Sequence, residues 1–186
     1  MANPRRVAIL ISGRGSNMRA LVERAAGYEI VLVASNKPYA AGLDWARERG
    51  LPTWAWDSKS IARDKFDKAL GDAIADHEAG TIALAGYMRI LSPAFVSRFA
   101  GRIVNIHPSL LPKYRGLDTH QRVLDAGDPV TGCTVHLVTE ELDSGEILGQ
   151  KKVRVKAGDT PTSLDRRVLA AEHLLYPRAL GDFVNR

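Results

Sequence analysis

The sequence is poor in cysteine, in long apolar runs and in blocks of like charge. Cys133 is the only cysteine among 186 residues, which excludes an intrachain disulfide and a cysteine-based metal site. No apolar run approaches the roughly 20 residues of a membrane-spanning helix. The first apolar stretch, from Val7 to Ser12, is too short for the core of a signal peptide. These absences predict a soluble cytoplasmic protein.

The composition is that of an average globular protein with a mild positive charge. Hydrophobic residues make up 45% and charged residues 25%, which argues against disorder. Lys and Arg number 26 against 21 Asp and Glu, giving a formal net charge of +5 at pH 7. A net charge of +5 is too small to indicate a basic tail. It is compatible with any anionic partner: a nucleic acid, a phosphate metabolite or a polycarboxylate.

Continuous apolar runs alternate with amphipathic segments along most of the chain. Runs such as Val7–Ile11, Ile30–Ala34 and Thr81–Ala85 are typical of strands buried on both faces of a parallel sheet. The amphipathic pattern of 61–79, between two of these runs, predicts a long helix. Strands that alternate with helices predict right-handed βαβ units in a doubly wound sheet.

The C-terminal part of the chain has a different pattern. Residues 132–138 and 147–155 predict an antiparallel hairpin. Thr160-Pro161 predicts the start of a last helix, which we expect to be interrupted near Pro177. The sequence therefore predicts a single α/β domain over residues 1–186. Its fold is expected to be Rossmann-like, with a doubly wound, mostly parallel sheet, a C-terminal antiparallel hairpin and a final helix.

A glycine-rich loop, Gly13–Asn17, follows the first predicted strand. Its glycines permit a tight turn, and the helix after it offers free N–H groups and a positive dipole end, which favours a monophosphate. The third glycine of a dinucleotide fingerprint would fall at Met18, and no Gly-Lys-Ser/Thr follows, so neither a dinucleotide site nor a P-loop is indicated. The alternative is a plain glycine-rich turn with Ser16 as the helix N-cap.

Asn105 and His107 share one face at the end of the predicted strand 103–106, because successive side chains alternate. A carboxamide can stabilise an oxyanion, and an imidazole can exchange a proton near neutral pH. The alternative is a solvated strand end. Asp143, in the acidic loop after strand 132–138, could pair with His107 and keep it protonated. Taken alone, that loop favours a solvated hairpin turn.

The other histidines and the tryptophans carry no clear functional pattern. No pair of histidines has metal-ligand spacing with a carboxylate as third ligand, so we expect no metal. His136 alternates within a predicted strand and is interpreted as a core histidine. Trp54 and Trp56 lack the flanking arginines of a base-stacking surface, so nucleic-acid binding is not indicated.

Four segments occur together in an order and spacing that resemble a known family. They are Ile11–Asn17, Ala85–Ser92, Asn105–Pro112 and Leu142–Gly145. Together they resemble the phosphoribosylglycinamide formyltransferases, the folate-dependent enzymes of purine biosynthesis, from Val7 to about Pro177. The segment His107–Pro112 is shared by several formyltransferases, whereas the Gly-x-Gly-Ser-Asn loop points to the ribonucleotide substrate.

The resemblance implies a reaction and its residues. The family transfers a formyl group from 10-formyltetrahydrofolate, a cosubstrate, to glycinamide ribonucleotide, so small molecules are the expected partners and no metal, nucleic acid or membrane is. The implied catalytic residues are Asn105, His107 and Asp143. The implied ribonucleotide-binding residues are Gly15, Ser16, Asn17 and Glu172. The implied folate-binding residues are Arg63, Met88, Arg89, Ile90, Leu91, Asn105, Thr139, Glu140, Glu141, Leu142 and Asp143.

Two further details follow from the resemblance. It implies a cis peptide bond between Leu111 and Pro112. The chain departs from the family within 113–120, where Arg115 and Asp118 stand at positions that are proline and histidine in many members.

The residues alone also permit other functions. A formyltetrahydrofolate deformylase uses similar residues with water as acceptor, usually with an added N-terminal regulatory domain, and a transfer-RNA formyltransferase needs a C-terminal nucleic-acid-binding domain. Since the first strand starts at Val7 and little chain follows Pro177, we expect neither. A non-catalytic nucleotide-binding module would explain the glycine-rich loop but leave Asn105, His107 and Asp143 without a role.

Overall fold

The computed structural model describes residues 2–186 as strands and helices that alternate along the chain. In chain order the elements are β1 (Arg6–Ile11), α1 (Ser16–Glu23), β2 (Glu29–Ser35), α2 (Ala41–Arg47), β3 (Thr53–Ala55), α3 (Arg63–Asp76), β4 (Thr81–Leu84), α4 (Pro93–Arg98), β5 (Ile103–His107), α5 (Thr119–Asp125), β6 (Val130–Leu137), β7 (Ile147–Arg154) and α6 (Pro161–Val184). The strands form a seven-stranded sheet in the order β3-β2-β1-β4-β5-β6-β7.

The first five strands are the parallel part of the sheet. β1 pairs with β2 on one side and with β4 on the other, β3 extends beyond β2, and β5 extends beyond β4. The direction of winding reverses between β1 and β4, so a crevice opens there at the carboxyl ends of the strands. The loops after β1, β4 and β5 border this crevice, and the predicted doubly wound sheet is confirmed.

Each central strand is buried on both faces, which explains its continuous apolar sequence. In β1, Val7 and Ile9 belong to one core cluster, together with apolar side chains of α1, α2, α5 and α6. Ala8 and Leu10 belong to the other cluster, together with side chains of α3 and α4. The two clusters are the two interfaces between the sheet and its helix layers.

The C-terminal hairpin adds two antiparallel strands to the parallel sheet, as predicted. β6 pairs antiparallel with β5 and with β7, and β7 forms the edge. The register between β5 and β6 places Asn105 opposite His136 and His107 opposite Thr134. This register positions polar side chains of two strands side by side at the crevice.

The last helix is continuous, so the predicted interruption near Pro177 is wrong. Proline removes one backbone hydrogen bond, but Tyr176 and Leu180 beside it are fully buried. Tyr176 Oη also lies 3.0 Å from the backbone oxygens of Leu84 and Val104. Packing of a long helix against the sheet outweighs the local cost of the proline. Neither α6 nor any other helix within residues 2–186 has the length and apolarity needed to cross a membrane.

Candidate active site

Asn105 and His107 lie together at the carboxyl end of β5, next to the crevice. Val104 and Ile106, which alternate with them, belong to the larger core cluster on the other face of the strand. Asn105 is half-buried and His107 is buried. The two polar side chains therefore share one face, as the alternation predicts.

Both ring nitrogens of His107 face oxygen acceptors. Nε2 lies 2.9 Å from the backbone oxygen of Tyr114, and Nδ1 lies 3.4 Å from Oδ2 of Asp143. Carbonyl and carboxylate oxygens only accept protons, so the doubly protonated imidazolium is the form that suits both contacts. The side chains of His107 and Asp143 are each 7% exposed, which shields the pair from salt. The contact that the sequence left open is thus present in the structure.

Asp143 is held both by its own backbone and by a neighbouring loop. Its φ of 49° lies in the left-handed region, which is uncommon for a residue other than glycine. Its Oδ2 accepts a hydrogen bond of 2.9 Å from the N–H of Gly116. A buried carboxylate kept at a strained backbone position supports a functional role for the residue.

His136 belongs to the same group, although the sequence interpretation treats it as a core histidine. It lies in β6 directly opposite Asn105 and is only 2% exposed. Its Nε2 is 3.2 Å from Nδ2 of Asn105 and 3.6 Å from Oδ1 of Asp143. The sequence does not report the register of two antiparallel strands, so the alternation within β6 was the only available signal.

The glycine-rich loop turns the chain from β1 into α1. Gly15 has a φ of 71° and is the N-cap of α1, without a side-chain capping bond. Ser16 is the first helical residue, so the alternative in which it is the N-cap is wrong. A Cβ at Gly15 would lie 2.9 Å from Cε of Met18, and the left-handed φ disfavours other residues. The turn leaves the first N–H groups of α1 free for an anion.

Asn17 and Glu172 are joined by a buried hydrogen bond. Nδ2 of Asn17 donates to Oε2 of Glu172 at 2.7 Å, across 155 positions of the chain. Burial raises the pKa of Glu172 to about 7, although the hydrogen bond from Asn17 acts in the opposite direction. Oδ1 of Asn17 has no hydrogen-bond partner within residues 2–186. This oxygen is therefore a buried acceptor that no donor among these residues satisfies.

Hydrogen bonds of Ser12, the residue just before the glycine-rich loop, connect the end of β1 to residues 88–91, the segment predicted to bind folate. Oγ of Ser12 accepts from the N–H of Met88 at 2.8 Å and donates to Oδ1 of Asn36 at 2.6 Å. Ser12 and Asn36 are each 5% exposed. Hydrogen bonds shielded in this way hold the two segments in a fixed relation without a ligand.

Within residues 88–91 the side chains face different surroundings. Met88 and Ile90 are 71% and 74% exposed, so they present apolar surface beside the crevice. The guanidinium of Arg89 instead turns back and donates to the backbone oxygens of Ser58 and Ile61, each at 3.3 Å. Exposed apolar side chains next to convergent polar groups are typical of a small-molecule site.

The acidic loop after β6 is closed by its own hydrogen bonds. Oγ1 of Thr139 and Oγ of Ser144 each donate to the backbone oxygen of Glu141 at 3.0 Å. The carboxylate of Glu141 accepts from Arg115 at 2.8 Å, which connects it to the loop that departs from the family. Leu142 is 63% exposed. The loop is therefore an ordered turn that carries an apolar side chain next to Asp143.

The remaining predicted residues lie outside these contacts. Arg63 is the first residue of α3 and is exposed, and within residues 2–186 no hydrogen bond joins it to 88–91. Glu140 is exposed. Leu91 is half-buried and packs against the smaller core cluster. The peptide bond between Leu111 and Pro112 is cis, as the resemblance implies.

The group formed by Asn105, His107 and Asp143 offers an amide donor, an imidazolium and a carboxylate. Donors of this kind stabilise negative charge on a carbonyl oxygen, each by about 3 kcal/mol of barrier. The carboxylate favours the charged imidazolium and can assist the transfer of a proton. Within residues 2–186 no group of three or more His, Cys, Asp or Glu side chains is arranged to hold a metal ion. The arrangement suits addition of a nucleophile to a carbonyl carbon.

Comparison with known proteins gives a consistent set of relatives. A family model described as formyl transferase matches residues 5–180. The phosphoribosylglycinamide formyltransferase of Escherichia coli (strain K12) is 44% identical over 184 residues, which cover 96% of this chain and 87% of that protein. The trifunctional purine biosynthetic protein adenosine-3 of Bos taurus is 48% identical over 180 residues, or 94% of this chain. The chain spans 18% of the length of that trifunctional protein.

Solved structures agree with the fold. The phosphoribosylglycinamide formyltransferase of Brucella melitensis superimposes with a TM-score of 0.92 at 49% identity, covering 98% of this chain and 96% of that one. The glycinamide ribonucleotide transformylase 1 of Symbiobacterium toebii gives a TM-score of 0.93 at 38% identity, covering 100% and 90%. The predicted α/β architecture is therefore shared with proteins of experimentally determined structure.

Proposed function

Because the chain belongs to the formyl transferase family, we propose that it transfers a formyl group from 10-formyltetrahydrofolate to the amine of glycinamide ribonucleotide. The products are formylglycinamide ribonucleotide and tetrahydrofolate, in purine biosynthesis. The names of the relatives support this choice of substrates. The observation that carries the proposal is the buried pair of His107 and Asp143 beside the amide of Asn105.

The proposed reaction is an addition followed by an elimination. The glycinamide amine attacks the formyl carbon, and the new C–N bond gives a tetrahedral oxyanion. The amide of Asn105 would donate to this oxygen. His107 would contribute mainly its positive charge, since both of its N–H groups already face acceptors. Asp143 would keep His107 charged and pass the amine proton, through a bound water, to the folate nitrogen as its bond to the formyl carbon breaks.

The two substrates would bind on opposite sides of the group formed by Asn105, His107 and Asp143. The ribonucleotide phosphate suits the free N–H groups at the start of α1, after Gly15. Glu172, held by Asn17, would bind the glycinamide end. The folate would lie on the exposed apolar side chains of Met88 and Ile90. Both substrates are anionic, which agrees with the net charge of +5.

An assay with 10-formylfolate, run with and without glycinamide ribonucleotide, tests the proposal. We expect the absorbance change of deformylation only when the ribonucleotide is present, together with formylated ribonucleotide as product. Release of formate without the ribonucleotide would instead indicate a hydrolase. Tight binding of the ribonucleotide without any transfer would indicate a non-catalytic binding module.

The roles of the three residues are tested by separate substitutions to alanine. Asn105→Ala, His107→Ala and Asp143→Ala are each expected to lower kcat by about 10²- to 10⁴-fold, because each removes one group that acts on the oxyanion or its proton. Thermal unfolding of each variant checks that the fold survives. Turnover near that of the unmodified protein in all three variants would contradict the assignment.

A further inference from the structure

We propose that His136 is a positioning residue for the transfer reaction: it acts as a neutral acceptor that holds the carboxamide of Asn105 in one orientation. The inference deepens the proposed function and rests on it, because it concerns the amide assigned to the oxyanion. It begins with the register of the sheet, which places His136 of β6 directly opposite Asn105 of β5. Their side chains meet at 3.2 Å between Nε2 and Nδ2.

The other ring nitrogen of His136 determines which tautomer is present. Nδ1 lies 2.9 Å from the backbone oxygen of Leu137. That oxygen can only accept, so Nδ1 carries a proton. In the neutral ring Nε2 then has a lone pair and no hydrogen, and it can accept from an amide N–H.

The surroundings of His136 favour this neutral form. The side chain is 2% exposed, and burial is the main cause that lowers its pKa below the ordinary value of 6.5. The positive charge of His107 acts in the same direction, while Asp143 and the hydrogen bond to Leu137 oppose it. Oδ1 of Asp143 is 3.6 Å from Nε2, but the other oxygen of that carboxylate faces His107. The nearby carboxylate thus already has a cationic partner.

A neutral acceptor at this position removes an ambiguity in the side chain of Asn105. The oxygen and nitrogen of a carboxamide have nearly the same shape, so packing alone does not choose between two orientations related by a flip. An oxygen directed at the lone pair of Nε2 in His136 would be repelled, whereas the NH₂ group donates to it. The flipped orientation is therefore disfavoured.

The orientation leaves one amide hydrogen of Asn105 for the substrate. The NH₂ group has two hydrogens, and within residues 2–186 its nitrogen has only the contact with His136. Donors to an oxyanion are effective when they are oriented before the reaction begins. His136 would thus act on the rate of the chemical step through Asn105, without touching the substrate.

The protonation state can be measured in the unmodified protein, independently of any activity. We expect ¹⁵N NMR of histidine-labelled protein at neutral pH to show Nδ1 of His136 protonated and Nε2 unprotonated, with the signals assigned by their loss in His136→Gln. Protonation at Nε2, alone or together with Nδ1, would overturn the proposal. This readout tests the proposal for His136 separately from the proposed function. The proposed function fails if the unmodified protein transfers no formyl group to the ribonucleotide.

Kinetics of a double-mutant cycle test the action through Asn105. His136→Phe is expected to lower kcat by about 10- to 100-fold and to leave the KM of both substrates little changed. This fall in kcat is smaller than that for complete removal of an oxyanion donor, because Asn105 is misoriented rather than missing. In the Asn105→Ala background the same substitution should change kcat by no more than about twofold, because its target is gone. Losses that multiply in the double variant would overturn the proposal.

Two further variants guard against a simple loss of structure. His136→Gln retains an acceptor for Asn105, so it is expected to recover most of the kcat that His136→Phe loses. Equal losses in both variants, with equal falls in melting temperature, would assign His136 a merely structural role. His77→Gln, at the end of α3, is the matched control and is expected to leave kcat unchanged.

Discussion

The carboxylates of Asp143 and Glu172 are both buried, but their partners differ in charge. Asp143 lies 3.4 Å from the ring of His107, which suits a cation. Glu172 is bound by the neutral amide of Asn17, and its pKa is raised to about 7. A cationic partner offsets the cost of burying a charge, whereas a neutral donor does so only in part. Asp143 therefore faces a cationic partner, whereas Glu172 exchanges a proton near neutral pH.

The largest effect is expected from removing the charge on the first carboxylate. Asp143→Asn keeps the shape and an oxygen for the N–H of Gly116, but it deprives His107 of its anionic partner. We expect turnover to fall by about 10²- to 10⁴-fold, the range of a lost acid–base function. The measurement is kcat in the formyl-transfer assay, with the exposed Asp182→Asn as control. A loss below tenfold would mean that the charge of this carboxylate is not needed.

The second carboxylate is expected to make the stability of the protein without substrate depend on pH. The pKa of Glu172 is about 7 in the folded protein against an ordinary 4.5, so the folded state binds the proton more tightly. Its contribution to the free energy of unfolding is unchanged below pH 4.5 and is lost as the pH rises through 7. The complete loss amounts to about 3 kcal/mol.

Glu172→Gln tests this difference, because it cannot ionise and keeps an oxygen for Asn17. Above pH 7 the variant should be the more stable protein, and the advantage should disappear toward pH 4.5. Denaturant unfolding across this range measures it, with the exposed Glu48→Gln as control. Parallel pH profiles for the variant and the unmodified protein would contradict the raised pKa.

A smaller effect should follow from removing the neutral partner itself. The hydrogen bond from Asn17 lowers the pKa of Glu172 against the effect of burial, so Asn17→Ala should raise that pKa further above 7. The lost hydrogen bond should also cost about 1 kcal/mol of stability. Titration of the Glu172 carboxyl by ¹³C NMR measures the shift. An unchanged or lower pKa would contradict the effect assigned to this hydrogen bond.

The smallest effect is expected at the exposed ion pair between the loops. Arg115 and Glu141 have side chains 41% and 73% exposed, so their attraction is weakened by water and salt. Arg115→Ala should change the free energy of unfolding by less than about 1 kcal/mol. Thermal unfolding at low and high salt measures it. A large loss of stability that does not depend on salt would contradict this expectation, because it would mean that the pair is shielded from water as the contacts of Asp143 are.

Most of the fold could be predicted from the sequence because its strands are buried on both faces. Residues such as Val7–Ile11 read as continuous apolar runs, and the structure has them in β1. The interruption near Pro177 was wrong because the packing of Tyr176 lies outside the local sequence. The extent of the domain, residues 1–186, stays a prediction.

The candidate site was less accessible to sequence reasoning. Alternation in β5 put Asn105 and His107 on one face, but only the folded loop brings Asp143 to them. The acceptor for His107 is the backbone oxygen of Tyr114, which no side-chain pattern reports. The contact between His136 and Asn105 was missed because it depends on the register of two strands. The family resemblance supplied what local patterns could not, and the roles it implies remain to be tested by substitution.

The hydroxyl of Ser12 has a consequence for redesign of this protein. It joins the N–H of Met88 to the side chain of Asn36, so the chain entering the glycine-rich loop is connected directly to residues 88–91. Ser12 is nearly inaccessible, so a larger residue there would displace both segments together. Selectivity for the proposed folate substrate is thus best altered through the exposed side chains of Met88 and Ile90, which take no part in these hydrogen bonds.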